Sequence, residues 1–129
     1  MSDARRLDVL ANIGRVMIER QLVLASKRPQ EALDDIWVLG YCFGVFDALA
    51  QRAGLKQYTD GFALITIGFI ELMSDHQQGA DRVRQALDNQ TDARSERGNR
   101  AAGTDMFGWF ADTNKPPMCL FDHLTARMP

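Results

Sequence analysis

Two stretches of the chain carry no charged side chain, and they limit what it can fold into. Residues 36–46 form a run of 11 and residues 61–70 a run of 10. Each is too short to cross a bilayer as a helix. Each must therefore be enclosed by protein on nearly every side. Taken alone, either reads equally well as a buried strand, because β-branched and aromatic residues are common in both. The flanks decide for helix: residues 31–35 and 47–52 are helical in character, and no partner strand is evident elsewhere.

The rest of the chain divides accordingly. Residues 3–26 place Leu10, Ile13, Met17 and Leu24 at helical spacing, with Val9, Val16 and Val23 as a neighbouring stripe. Pro29 opens the next segment, and Gly54 is a natural stop for a single helix over about 30–53. A third helix is predicted over 60–73. A fourth, over 75–90, has Ser74 as its cap and a narrow apolar stripe of Ala80, Val83, Ala86 and Leu87. The fold class expected is all-α: a small bundle of four main helices plus a short helical C-terminal segment. Residues 1–90 form the helical core of what is one domain overall. Residues 91–103 hold two glycines and no apolar residue larger than alanine, so a flexible polar loop is predicted there. Residues 104–129 form an aromatic and apolar segment that packs on the core or on a partner.

Several chemistries find little support. With 15 basic and 17 acidic residues, the net charge of −2 gives no general pull on a polyanion. Arg82, Arg84, Arg94, Arg97 and Arg100 alternate with Asp81, Asp88, Asp92 and Glu96, as on a solvated face, so nucleic-acid binding is disfavoured. The two histidines, His76 and His123, belong to no metal-binding pattern; Glu71, Asp75 and His76 are the nearest approach to a ligand set. No cofactor or metal is expected. Cys42 reads as a small core residue, and Cys119 is less constrained. No uninterrupted apolar stretch follows the arginines near the N-terminus, so a cytoplasmic location without membrane association is expected.

Two surfaces stand out as places for contact. Gly40 and Gly44, four apart on one helix face, invite backbone-to-backbone approach of another helix. Together with Val16 and Val23 they are the candidate seam of a homodimer. The C-terminal group Phe107, Trp109, Phe110, Met118, Leu120 and Phe121 has the composition of a partner-binding surface. The expected function is that of a small cytoplasmic regulatory or adaptor protein acting by protein–protein binding. An antiactivator that sequesters a transcription regulator, as bacteria use, or an inhibitor of another protein, has this general make-up. The alternative is an apolar-ligand binder lined by Trp37, Tyr41, Phe43, Phe46, Phe62 and Phe69, with Asp47, Asp60 or Glu71 as its polar end. An enzyme using Asp47 and Glu71, with Tyr41 and His76 as further acid/base candidates, ranks last.

Overall fold

The computed structural model describes residues 3–55 and 58–126. All regular structure among them is helical: α1 (Asp3–Leu24), α2 (Pro29–Ala32), α3 (Ile36–Arg52), α4 (Tyr58–Met73), α5 (His76–Asp88), α6 (Ala93–Ala111) and α7 (Cys119–Thr125). Both uncharged runs are helical, residues 36–46 as their flanks predicted and residues 61–70 as the lack of a partner strand did. None of the described helices is long and apolar enough to cross a membrane.

Helix α3 is the axis of the molecule, packed against α6, α4, α1 and α5. Its start is fixed by Asp35, whose carboxylate accepts from the Trp37 and Val38 amides at 2.8 and 3.4 Å. This cap explains a departure from expectation. The predicted single helix over 30–53 is broken at residues 33–35, because Asp35 satisfies a new helix N-terminus there. Arg82 on α5 closes the bend, donating to the Gln30 and Leu33 carbonyls at 3.0 Å each and to Asp34 at 2.8 Å. Arg82 is thus a clamp rather than part of a solvated face.

The larger departure is α6. Residues 91–103, expected as a flexible polar loop, form a capping turn and the first half of a 19-residue helix. Asp92 caps it through the Arg94 amide at 2.8 Å. What holds it is close contact rather than bulk: Ser95, Gly98, Ala102 and Met106 are buried along one stripe. A Cβ added to Gly40 would strike Ser95, with Ser95 Cα at 2.8 Å. One added to Gly44 would lie 2.8 Å from Ala102 Cβ and 3.0 Å from the Asn99 carbonyl. One added to Gly98 would land on the Trp37 carbonyl oxygen. Matched small residues bring the two backbones together, with the helices running in the same direction. The predicted close approach at Gly40 and Gly44 is therefore present, but the helix that makes it is α6 of the same chain.

On the opposite side, Phe46 fills the space over Gly14 of α1 and Gly68 of α4, and packs on Phe69 with ring centroids 5.8 Å apart. Helix α5 closes on α4 where Gly79, rather than the predicted Ala80, meets the Ile70 backbone. Ser74 does not cap α5; Asp75 does, accepting from the Gln78 amide at 2.7 Å.

The C-terminal segment is tied down by a polar network. Gln21 of α1 donates to the Tyr41 hydroxyl at 2.9 Å, and that hydroxyl donates to Asp105 at 2.7 Å. Asp105 also accepts from the Cys119 amide at 2.9 Å, and Gln21 accepts from the Phe121 amide at 2.9 Å. Four helices thus meet at two buried side chains. Burial first, and then the bond to the Asp105 carboxylate, push the Tyr41 hydroxyl far above its ordinary pKa, so it stays a donor. The chain end gains a second tie where His123 stacks on Trp37, centroids 3.9 Å apart, and meets Asp35 at 3.0 Å.

Candidate functional site

Between Val38 and Ala50, only Phe43 and Asp47 are not buried. They lie four residues apart and so share one side of α3. Neighbouring helices cover the other sides: α6 over Gly40 and Gly44, and α1 and α4 around Phe46. The remaining direction is open and forms a trough with α3 as its floor. One half, of about 480 Å³, is lined by Phe43, Asp47, Leu55, Phe62, Ile65 and Leu87, together with Ala50, Gln51, Gly61 and Gln90. It is largely apolar, and Phe62 on its rim is 38% exposed. The adjoining half, of about 440 Å³, shares Phe43 and Gln90 and is completed by Ala86, Ser95, Glu96, Asn99 and Arg100. One half of the trough is thus apolar, and the other is lined mainly by polar side chains. Asp47 is held by Gln51, which donates to it at 2.8 Å.

The trough joins parts of two sequence expectations. Phe43, Phe62 and Asp47, assigned there to an apolar ligand pocket, do line one surface. Tyr41, Phe46 and Phe69 do not, being fully buried in the core. Trp37 is half-buried beneath His123. On α6, the trough residues Glu96 and Arg100 are followed at helical spacing by Gly103, Phe107 and Phe110. A Cβ on Gly103 would meet nothing within 4 Å, so the wall is open there. Phe107 is 49% exposed and meets Phe110 edge-on at 5.6 Å, and Arg52 at the end of α3 sits 5.8 Å over the Phe110 ring.

The other C-terminal aromatic and apolar residues have a different role. Leu120 is completely buried, and Trp109, Met118 and Phe121 are half-buried, the amides of Cys119 and Phe121 being bound by Asp105 and Gln21. Of the six predicted docking residues, Leu120 is core, and Phe107 is the most available. The homodimer seam also needs correction. Gly40 and Gly44 are covered by α6 and cannot form one. Val16 and Val23 are exposed on α1, at 39% and 75%, alongside Val9 and Leu24.

The acid/base candidates are not brought together. Asp47 lines the trough, whereas Glu71 sits at the α1–α4 seam, 4.0 Å from Arg15. Burial, only partly offset by Arg15 and reinforced by Asp8 and Glu19, raises the Glu71 pKa. Tyr41 belongs to the core network and His76 is exposed at the start of α5. Among the described residues, no three His, Cys, Asp or Glu side chains gather to hold a metal ion. Both thiols are poor nucleophiles: burial pushes Cys42 far up, and burial together with Asp105 pushes Cys119 to about 12.

The trough residues contributed by α5, α6 and the turn between them, such as Leu87, Asn99 and Gln90, escape sequence reasoning because each is unremarkable within its own segment. Their one signal is that Glu96, Arg100, Gly103, Phe107 and Phe110 fall on one flank once α6 is known to be a helix. No family model matches the chain, and neither a curated protein nor a solved structure is significantly similar to it.

Proposed function

We propose that this chain is a small cytoplasmic regulatory or adaptor protein that acts by binding another protein, its trough receiving an amphipathic helix of the partner. The observation that carries this is the opening in the cover of α3 between Val38 and Ala50, at Phe43 and Asp47. A groove with one apolar and one polar half suits an amphipathic helix bearing apolar residues at i, i+3 or i+4, and i+7. Its openness favours a macromolecular occupant, because small-ligand sites bury roughly 70–90% of the ligand surface. Sequestering a regulator or blocking an enzyme would both be served by such a grip.

A photo-crosslinking residue placed at Phe62 or Phe107 and expressed in the native host tests it. The expected result is a discrete protein adduct from both positions and none from the exposed control Arg84 on α5. Phe107→Ala should then weaken the isolated complex by about 2 kcal/mol or more, roughly 30-fold. Because Phe107 is half exposed, the same change should cost the fold about 1 kcal/mol, far below the core value. Equal adducts from all three positions, or none, would sink the proposal. A thermal shift with apolar small molecules but no adduct would replace it with the ligand-binding alternative.

A further inference from the structure

Helix α1 has two apolar faces, and its own chain covers only one. Ala11, Gly14, Ile18 and Leu22 are buried against the body of the molecule. Val9, Val16 and Val23 recur every seven residues on the other side, which brings them within about 20° of one another per step around the helix. They are exposed by 47, 39 and 75%, and Leu24 beside them by 63%. This face is well away from the trough: α1 approaches α3 through Phe46 and Leu49, over Gly14, whereas Phe43 and Asp47 face elsewhere.

We infer that the valine row is the seam of a homodimer in which two copies of α1 pack antiparallel, with the two-fold axis at Val16. The inference does not depend on what the trough binds. Its first support is the symmetry of the row. Val9 and Val23 lie seven residues either side of Val16, about 10.5 Å along the axis in each direction. An isologous contact needs a surface that is its own complement. Antiparallel pairing about Val16 supplies it, setting Val9 against Val23 of the second copy at both ends.

The second support is charge. Asn12, Arg15 and Glu19 occupy one flank of the row, with Arg15 and Glu19 already paired at 2.8 Å. In the antiparallel arrangement like flanks meet in reversed order. Glu19 then falls between Arg15 and Asn12 of the second copy, and the reciprocal contact repeats across the axis. Arg20, on the opposite flank, falls beside Ile13 of the second copy and lays its aliphatic stem over it.

The test uses the full chain with Cys119→Ser, leaving only the buried Cys42 as a native thiol. Sedimentation should give a dimer, and Val16→Glu, which puts two carboxylates at the axis, should give a monomer of unchanged helix content. Under a mild oxidant Val16→Cys should link to itself. Val9→Cys and Val23→Cys should link to each other when mixed, well above either alone or the control Arg84→Cys. A wild-type monomer at all attainable concentrations overturns the inference, as does a dimer indifferent to Val16→Glu. Self-linking of Val9→Cys without a Val9–Val23 product overturns the antiparallel arrangement. None of these results bears on crosslinking from the trough.

Discussion

Replacing Gly98 by alanine adds one methyl group to a solvent-facing helix rich in polar residues, and on local grounds it should help. Alanine is favoured over glycine within a helix by about 1 kcal/mol. The packing argues the reverse. The new Cβ would fall on the Trp37 carbonyl oxygen and lie 2.9 Å from the Trp37 carbonyl carbon and the Tyr41 amide nitrogen. All three are backbone atoms of α3, so no side-chain rotation relieves the clash and the helices must separate. Overpacking of a tight interior costs about 1–3 kcal/mol, and a backbone obstacle belongs at the upper end. The net expectation is a loss of about 2 kcal/mol. Gly103 and Gly108 lie in the same helix with no neighbour within 4 Å of an added Cβ. The same substitution there should stabilise by up to about 1 kcal/mol. Urea unfolding followed by far-UV circular dichroism should therefore separate Gly98→Ala from Gly103→Ala by about 3 kcal/mol, with opposite signs about the wild type. If Gly98→Ala stabilises as Gly103→Ala does, α6 does not lie against α3. The trough wall would then be wrong together with the packing.

Two further predictions concern polar groups. Glu71 has a raised pKa in the fold, so its protonated form is favoured there and its ionisation disfavours folding as pH rises through its titration range. Glu71→Gln should therefore be more stable than wild type at neutral pH, by no more than about 1 kcal/mol for a side chain this exposed. The advantage should shrink towards zero under acid conditions, where Glu71 is protonated in both states; thermal melts across pH check it. Tyr41→Phe removes the hydroxyl between Gln21 and Asp105, leaving the buried Gln21 and the partly buried Asp105 each short of a partner. It should cost about 1–3 kcal/mol. Because the amides of residues 119 and 121 are bound by the same two side chains, amide exchange should rise there more than in α4.

Much of the fold is legible in the sequence because uncharged runs have few fates. Residues 36–46 and 61–70 had to be enclosed; the flanks of the first identified it as a helix, and the lack of a partner strand identified the second. The errors share a physical cause. Helix α6 was hidden because cores are usually recognised by bulk, and its buried stripe consists mostly of Ser95, Gly98 and Ala102. These are the residues that Gly40 and Gly44 require on the opposing helix, so the small positions of one segment were the signal for the other. The α2–α3 break was signalled by Asp35, which serves equally as a helical residue and as a cap; the Arg82 clamp, on groups 48 to 52 positions away, settles which. The tail was ambiguous because its fate depends on hydrogen bonds from Gln21 and Asp105, partners 100 and 14 residues distant. Local pattern carries no trace of such pairings. The trough residues were scattered for a related reason: Phe43, Phe62, Leu87 and Asn99 come from four helices and become one surface only through the packing order.

That packing order also separates the contacts that hold the fold from the exposed rows proposed for binding and assembly. Covering α3 takes α6 on one side and α1 with α4 on another, and each cover is secured by a close contact: Gly98 on the Trp37 carbonyl, and Phe46 over Gly14 and Gly68. Neither contact involves Phe43, Asp47 or the α1 valines. Substitutions along the exposed rows should therefore change binding or assembly while leaving the melting temperature nearly fixed, because exposed positions away from such contacts usually shift stability by only about 0.5 kcal/mol. Should changes at Val16 and at Phe62 instead lower stability as much as core truncations do, by about 2–5 kcal/mol, the two rows would be parts of the folding core, and the division of roles drawn from their exposure would fail.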